Sequence, residues 1–190
     1  MSSIRVISGK AKGRKLKSVP GTITRPITDR VKEALYNIIG ADIFDATMLD
    51  LFGGTGSVGI EALSRGANFV RFIDKHKSAV KTIRENLKLT GLSTHAEVFQ
   101  NDALKILRKP ADRAFDYLYV APPQYKNIWE KTMQLLDENI AWLSNDSWVI
   151  VQIHPVEYYR LSLAHLAEFD QRDYGSTKLV FYALTNPEES

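Results

Sequence analysis

Residues 49–59, LDLFGGTGSVG, decide the fold of this chain. A short apolar strand is predicted over residues 48–52, and the pattern after the glycines predicts a helix near 57–65. Glycines in the turn let the backbone bend tightly and approach a ligand that any side chain would exclude. Ligands of parallel α/β sheets bind outside the carboxyl ends of the strands, which is where this loop lies. The segment therefore predicts a strand–loop–helix unit whose loop holds a ligand.

The rest of the chain repeats this strand–helix pattern. Further strands are predicted over residues 69–73, 96–99, 117–120 and 148–153, and helices over 76–89, 102–108 and 127–140. Residues 169–174 and 179–184 predict an antiparallel pair around Gly175-Ser176. Repeated strand–helix units require parallel strands joined by right-handed crossovers. The fold class is therefore α/β: an open, mainly parallel, Rossmann-like sheet that ends in a C-terminal antiparallel hairpin.

The residues before this sheet predict a basic β-hairpin and a helix. Short strands over 4–8 and 16–19 surround a turn that begins at Gly9. Apolar residues at helical spacing predict an amphipathic helix over 28–39, and Gly40 is suited to end it. A chain of 190 residues can bury a full core as one domain. We therefore predict a single domain, with residues 1–22 as a hairpin extension and 23–190 as the Rossmann-like core.

Composition and charge predict a cytoplasmic protein with a basic lobe. No apolar run reaches the roughly 18 residues of a membrane span, and residues 1–10 lack the apolar region of a secretion signal. The chain has no cysteine, and its histidines lack metal-ligand spacing, so no metal is predicted. Residues 1–40 hold nine Lys or Arg against two acids, although the whole chain is only +3. Such a lobe is typical of a phosphate-binding surface; a merely solvated basic face is the alternative.

Three aspartates surround the predicted ligand loop. Asp50 directly precedes it, Asp74 ends the next strand, and Asp102 follows the third strand. A carboxylate at Asp74 is placed to accept both hydroxyls of an adenosine ribose. Asp102 is placed near an adenine amino group. The alternative for all three is capping of a loop or helix.

Residues 54–59 also match the pattern G-x-G-x-x-G, so a nicotinamide-dependent dehydrogenase is an alternative. Two features argue against it. Asp50 would repel a pyrophosphate, whereas it could bind the ammonium of a methionine moiety. In addition, a hairpin and a helix precede the first strand, and nothing later in the chain resembles a hydride-transfer site.

The fourth strand ends in Ala121-Pro122-Pro123-Gln124-Tyr125. Two prolines fix φ and remove two N–H donors, which leaves carbonyls aimed outward from a rigid turn. The carbonyls of Ala121 and Pro122 could hold a planar exocyclic amine, and Tyr125 or Tyr119 could stack on a base. The alternative is that the prolines only end the strand.

Four segments together resemble the RsmD-type 16S ribosomal RNA guanine-N2 methyltransferases over nearly the whole chain. They are residues 4–16 (IRVISGKAKGRKL), 24–37 (TRPITDRVKEALYN), 50–67 (DLFGGTGSVGIEALSRGA) and 172–175 (RDYG). The resemblance implies a seven-stranded sheet and S-adenosyl-L-methionine as cofactor. It also implies methylation of the N2 amine of one guanine in 16S rRNA, within an assembling small ribosomal subunit, by a monomer.

The resemblance also implies residue roles. The catalytic segment is Ala121, Pro122, Pro123 and Tyr125; the cofactor-binding residues are Asp50, Gly53, Gly54, Gly56, Asp74 and Asp102; the RNA-binding residues are Arg5, Lys10, Lys12, Arg14, Lys15 and Arg25. Ala121 departs from the family pattern, which has Asp or Asn before the prolines, and Gln124 separates Pro123 from Tyr125. The alternative function is therefore a non-catalytic RNA-binding or ribosome-assembly protein that retains the methyltransferase fold.

Overall fold

The computed structural model describes residues 3–21 and 26–186, which form seven strands and five α-helices. The strands are β1 (Thr47–Asp50), β2 (Phe69–Asp74), β3 (Ala96–Gln100), β4 (Phe115–Val120), β5 (Leu143–Ile153), β6 (Leu166–Tyr174) and β7 (Thr177–Leu184). The helices are α1 (Asp29–Ile39), α2 (Ser57–Ser64), α3 (Lys77–Thr90), α4 (Ala103–Leu107) and α5 (Ile128–Glu138). No helix among these residues is long and apolar enough to cross a membrane.

The strands form one sheet in the order β3-β2-β1-β4-β5-β7-β6. Strands β1, β2 and β3 pair in parallel, as do β4 and β5, whereas β7 runs antiparallel to both β5 and β6. The prediction of a seven-stranded, mainly parallel Rossmann-like sheet with a terminal antiparallel hairpin is confirmed.

The chain divides into two compact units, Met1–Asp102 and Ala103–Ser190. The first contains the hairpin, the glycine-rich loop and β1 to β3; the second contains the Pro-Pro segment and β4 to β7. The predicted division into residues 1–22 and 23–190 of a single domain stays a prediction.

In the first unit, α1 begins and ends where the sequence predicted. Thr28 caps it, with Oγ1 accepting a hydrogen bond from the Val31 N–H at 3.3 Å. Gly40 ends it with φ of +66°, a conformation that glycine adopts without strain. Leu35 of α1 and Leu49 of β1 are fully buried, so the helix contributes its apolar stripe to the core.

In the second unit, one carboxylate organises the connection that leads into β6. Asp137, near the end of α5, accepts hydrogen bonds from three consecutive backbone N–H groups, those of Ala164, His165 and Leu166. Because buried backbone donors need partners, this carboxylate fixes the path of a segment that has no regular structure.

The N-terminal hairpin is shorter than the sequence predicted. Its arms share one bridge, between Arg5 and Lys15, in place of two strands of four or five residues. The reason is competition for backbone groups, since the next N–H donors of the first arm do not bond to the opposite arm. Those of Ile7 and Ser8 bond to the Glu61 carboxylate of α2 at 2.9 and 3.0 Å.

Candidate cofactor and target-base sites

The loop between β1 and α2 is a tight turn fastened to β2. Gly54 and Gly56 have φ of +57° and +80°, in the left-handed region that favours glycine. The Gly56 N–H donates to Gly53 O at 2.8 Å, and the Gly53 N–H donates to Ile73 O at 2.8 Å. A Cβ added at Gly54 would meet no atom of the described residues within 4 Å. The loop therefore presents an open face at Gly54.

Two other glycines of this region are required by packing inside the unit. A Cβ at Gly53 would lie 2.7 Å from Cδ1 of Ile83, and one at Gly59 would lie 2.3 Å from the ring of Phe72. The sequence predicted that glycines here make room for a ligand. At Gly53 and Gly59 they make room for neighbouring side chains.

Asp74 holds the loop in place from the end of β2. Its Oδ2 accepts from the Gly54 N–H at 2.9 Å, and its Oδ1 accepts from the His76 N–H at 2.9 Å. The Asn101 N–H donates to Asp74 O at 3.0 Å, and Asn101 Oδ1 accepts from the Asp102 N–H at 2.8 Å. A chain of hydrogen bonds thus connects Asp74 and Asp102, two of the three aspartates that the sequence selected.

Asp50, the third aspartate, is a buried acid with an unused oxygen. Its side chain is 1% exposed, and no group in the described part of the chain bonds to its Oδ1. Burial and the nearby Asp74 carboxylate raise the pKa of Asp50 to about 7, although hydrogen bonds from the Phe52 and Gly59 N–H groups oppose the shift. Such a carboxylate is suited to receive a cationic group.

In the second unit, the segment after β4 carries strained backbone. Tyr125 has φ of +62° and Asn127 has φ of +51°, both unusual for residues other than glycine. The Tyr125 N–H donates to Glu157 Oε1 at 2.8 Å, and the Tyr125 side chain is 67% exposed. Backbone strain of this kind is often retained at functional sites. The exposed ring is free to stack on a planar ligand.

Glu157 and His154 are site residues that sequence reasoning missed. Both follow the carboxyl end of β5. Glu157 Oε2 accepts from the His154 N–H at 3.2 Å, so its two oxygens join the turn after β5 to the Tyr125 segment. The His154 ring lies 6.3 Å from the Tyr125 ring, centroid to centroid. Their position after a parallel strand was the available signal.

Tyr119 does not offer a stacking face, which corrects that alternative. Its side chain is 2% exposed within β4, and its hydroxyl hydrogen-bonds to Gln152 of β5. Gln124 is exposed, and its side chain forms no hydrogen bond within the described residues. Tyr125 is therefore the aromatic ring that this segment presents to solvent.

The basic residues of the hairpin face outward from an anchored backbone. Lys10, Lys12, Arg14 and Lys15 are exposed, while the Lys10 N–H donates to Ser64 O of α2 at 2.8 Å. Arg5 is also exposed, and its Nε pairs with Asp29 at 2.8 Å. Arg25 lies outside the described residues. The hairpin therefore presents cations from a backbone that α2 holds in place.

Comparison with known proteins decides the family. The family model described as Conserved hypothetical protein 95 matches residues 4–183. A Haemophilus influenzae relative named Ribosomal RNA small subunit methyltransferase D is 37% identical over 78% of this chain and 78% of its own length. The chain belongs to the RsmD-type methyltransferase family. The resemblance seen in the sequence is confirmed.

Further relatives and solved structures match most of this chain. A Bacillus subtilis protein named Putative rRNA methyltransferase YlbH is 38% identical over 94% of this chain and 98% of its own. The solved structure of the putative methyltransferase yhhF from Escherichia coli has a TM-score of 0.85 at 30% identity, covering 96% of this chain and 98% of that one. A Salinibacter ruber RNA methyltransferase in complex with S-adenosyl-L-homocysteine shares the fold, with a TM-score of 0.65 at 20% identity over 86% and 97% of the two chains.

Proposed function

We propose that this RsmD-type protein is an rRNA methyltransferase that uses S-adenosyl-L-methionine and methylates the N2 amine of a guanine in 16S rRNA. The relatives named Ribosomal RNA small subunit methyltransferase D support small-subunit RNA as the substrate. The observation that carries the cofactor assignment is the buried Asp50 carboxylate, whose Oδ1 lacks a partner among the described residues. We further propose a cytoplasmic monomer that acts within an assembling small subunit.

The residues of the first unit fit this cofactor. Asp50 Oδ1 would accept the ammonium of the methionine part, which matches the need of a buried carboxylate for a cation. Each oxygen of Asp74 accepts one backbone N–H and retains a lone pair for a ribose hydroxyl. Asp102 would receive the adenine amino group, and the open face at Gly54 leaves space for the ligand.

When bound, S-adenosyl-L-methionine supplies a methyl group activated by a positively charged sulfur. The nitrogen of a guanine N2 amine shares its lone pair with the ring, so the protein must orient that amine. The carbonyl oxygens of Ala121 and Pro122 would accept hydrogen bonds from the two N–H groups of the guanine amine. Tyr125 would stack on the base, a contact worth about 1–3 kcal/mol. As the carbon–sulfur bond breaks and the new carbon–nitrogen bond forms, the nitrogen loses one of its two protons to solvent. Rate enhancement then comes mainly from positioning and electrostatics, without a strong general base.

The hairpin would bind the RNA backbone. Lys10, Lys12, Arg14 and Lys15 are exposed cations on a backbone anchored to α2. Cations that neutralise phosphates release condensed counterions, so affinity for RNA falls as salt rises. The target base must also leave its stack, at a cost of a few kcal/mol. Backbone binding by the hairpin would offset part of that cost.

Transfer of labelled methyl from S-adenosyl-L-methionine tests the proposal. The substrates are small ribosomal subunits that lack the modification, with deproteinised 16S rRNA and large subunits assayed in parallel. After digestion, label in N2-methylguanosine from small subunits is the expected result. Label in another nucleoside would overturn the guanine-N2 assignment.

Ala121 favours a second candidate function, an RNA-binding or assembly protein without turnover, because it lacks the side-chain acceptor of the family pattern. Confirmed cofactor binding with no label in any substrate would support this alternative. The Ala121→Asn variant separates the two, because it restores the acceptor. Label that appears only with the variant would identify Ala121 as the cause of the lost activity.

A further inference from the structure

Helix α3 carries a basic face that neither the site described above nor the hairpin includes. Lys77, Lys81, Arg84 and Lys88 follow one another at intervals of four, three and four residues, which places them on one side of the helix. All four are exposed, and together with Gln100 of β3 they line a groove of about 400 Å³. The groove lies entirely within the first unit.

The positive charge of this groove is largely unneutralised. Within residues 3–21 and 26–186, Lys77, Lys81 and Lys88 have no ion-pair partner. Glu85, the acid of the groove, pairs instead with Lys17 at 3.1 Å. Like charges three and four residues apart destabilise a helix. A polyanion bound along the face would remove this repulsion.

The Arg84 guanidinium lies against the edge of the sheet. Its Nη2 donates to Val98 O of β3 at 3.1 Å, and β3 is the edge strand. The first turn of α3 contains no acidic residue of its own, but Asp74 Oδ1 accepts from the N–H of His76, the residue before the helix, so a carboxylate offsets the positive dipole end there. The positive potential of α3 beside the sheet edge therefore comes from its exposed Lys and Arg side chains.

The basic hairpin is fastened to α3 through a buried residue of that helix. The Lys17 N–H donates to Asn86 Oδ1 at 2.7 Å, and Asn86 Nδ2 donates back to Lys17 O at 3.0 Å. The second arm of the hairpin, with exposed Lys15 and Lys17, is thus bound to α3. The two groups of cations are therefore carried by segments that are bound to each other, with the Lys17–Glu85 ion pair where they meet.

We infer that the basic face of α3 is a second phosphate-binding surface, which takes the sugar–phosphate backbone of RNA beyond the stretch bound by the hairpin. The inference rests on the proposed RNA substrate and extends it. Separated exposed lysines on a helix match a repeating phosphate chain, and they bind it without reading sequence. The surface therefore adds affinity and salt dependence to RNA binding while leaving the choice of base to other residues.

The test is RNA binding by the full chain with Lys81→Gln and Lys88→Gln together. Lys81 lies inside α3 and Lys88 lies in its last turn, and the helix propensity of glutamine is similar to that of lysine. Lys77 and Arg84 are left unchanged, because Lys77 begins the helix near Asp74 and Arg84 bonds to Val98. The probe is a fluorescein-labelled 20-base-pair RNA hairpin, and its Kd is measured by anisotropy between 50 and 300 mM salt, roughly the range in which counterion release is resolved.

The expected result is a Kd at least about fivefold higher at about 0.1 M salt, with the slope of log Kd against log salt reduced by about 1.8, since each of the two lost phosphate contacts contributes roughly 0.9. The matched control is Lys109→Gln with Lys131→Gln, two exposed lysines of the second unit, which should retain the wild-type slope. A slope for the α3 variant equal to that of the control would overturn the inference. Unchanged affinity for S-adenosyl-L-methionine shows that the variant is folded.

Failure of the proposed function gives a different pattern. If wild-type protein transfers no methyl group but the α3 variant still loses RNA affinity and slope, the phosphate-binding surface stands and the catalytic assignment falls. If methyl transfer occurs and the slopes are equal, the catalytic assignment stands and α3 is only a solvated face.

Discussion

Lys32 Nζ lies 3.3 Å from Glu61 Oε2, and the two side chains are 1% and 0% exposed. Lys32 Nζ also donates to Arg5 O at 2.6 Å and to Ser57 Oγ at 2.9 Å. Burial lowers the pKa of Lys32, while the Glu61 carboxylate acts in the opposite direction. This ion pair joins the hairpin, α1 and the first residue of α2, so the basic hairpin and the helix that follows the glycine-rich loop share one buried anchor.

Replacement of Glu61 by Gln should be strongly destabilising. It leaves the Lys32 ammonium buried without a counter-charge, and breaking one partner of a buried pair typically costs about 3–5 kcal/mol. Urea unfolding measures the loss. The matched control is Glu85→Gln, because Glu85 pairs with Lys17 across side chains that are 38% and 57% exposed; such a surface pair contributes about 1 kcal/mol or less. Equal losses for the two variants would contradict the anchor.

Local signals in the sequence predicted most of the fold. Thr28 and Gly40 mark the two ends of α1, and the glycine-rich loop separates β1 from α2. These features were predictable because caps and turns depend on residues that are adjacent in the chain. The position of Asp74 at the end of its strand also followed from local pattern. The local structure around the proposed cofactor-binding residues was therefore predictable from sequence alone, while their role stays a prediction.

The parts that sequence could not predict depend on contacts between distant residues. Glu61 lies 54 residues from Ile7, whose N–H donates to it, and this contact lies where the local pattern predicted that the hairpin strand would continue. Glu157 lies 32 residues from Tyr125, and nothing in the sequence of either segment predicts the hydrogen bond between them. The spacing of apolar residues predicts which face of a helix or strand is buried and where turns lie. It does not identify the groups that bond to a buried or bridging carboxylate.

Asp50 makes both stability and cofactor binding depend on pH. Its folded-state pKa of about 7 exceeds that of an unfolded aspartate, so the cofactor-free protein loses stability as pH rises from about 4 to about 7. The stability difference between wild type and Asp50→Asn should change by an amount on the order of 4 kcal/mol across this window, in favour of the variant at higher pH. Urea unfolding at pH 4.5 and pH 8 measures it.

We expect the same group to control cofactor affinity. Because an ammonium needs the ionised carboxylate, the Kd for S-adenosyl-L-methionine should rise by up to about tenfold per pH unit below pH 7. Asp50→Asn should bind weakly and without this dependence. Titration calorimetry between pH 5.5 and about 8 distinguishes the cases. A wild-type affinity that is constant over this range would exclude Asp50 as the ammonium site.

Replacement of Asp74 by Ala should weaken cofactor binding through two effects. It removes the ribose acceptor, and it releases the N–H groups of Gly54 and His76 that hold the loop. Since hydrogen bonds to charged groups contribute about 1.5–3 kcal/mol each, we expect Kd to rise at least about tenfold. Asp42→Ala, at an exposed residue outside the loop, is the control. An unaltered Kd in the Asp74 variant would refute its role.

Charge reversal at Lys12 and Arg14 should separate RNA binding from cofactor binding. Both residues are exposed on the hairpin, outside the loop that surrounds Asp50. Lys12→Glu with Arg14→Glu should reduce affinity for RNA at least about tenfold at low salt, because two phosphate contacts become repulsive. The Kd for S-adenosyl-L-methionine should not change. Equal losses of both affinities would mean that the hairpin variant is misfolded or that the two functions are not divided in this way.

Glu157 should act on methyl transfer by positioning Tyr125. One of its oxygens accepts from the Tyr125 N–H and the other from the His154 N–H, and Tyr125 is held at a positive φ that it would not retain by itself. Glu157→Ala removes both acceptors and frees the loop. Because misplacement of a substrate by about 1 Å can cost roughly 10²-fold in rate, we expect kcat to fall by about 10- to 100-fold.

Three measurements distinguish positioning from general damage to the fold. The Kd for S-adenosyl-L-methionine should stay at its wild-type value in Glu157→Ala, because Glu157 lies in the second unit and the proposed cofactor-binding residues lie in the first. Glu157→Gln keeps one acceptor oxygen and should recover part of kcat. Glu138→Ala, which removes an exposed carboxylate at the end of α5, should leave kcat unchanged. A wild-type kcat in Glu157→Ala would show that methyl transfer does not depend on this carboxylate. Other contacts would then have to hold Tyr125 in position for stacking.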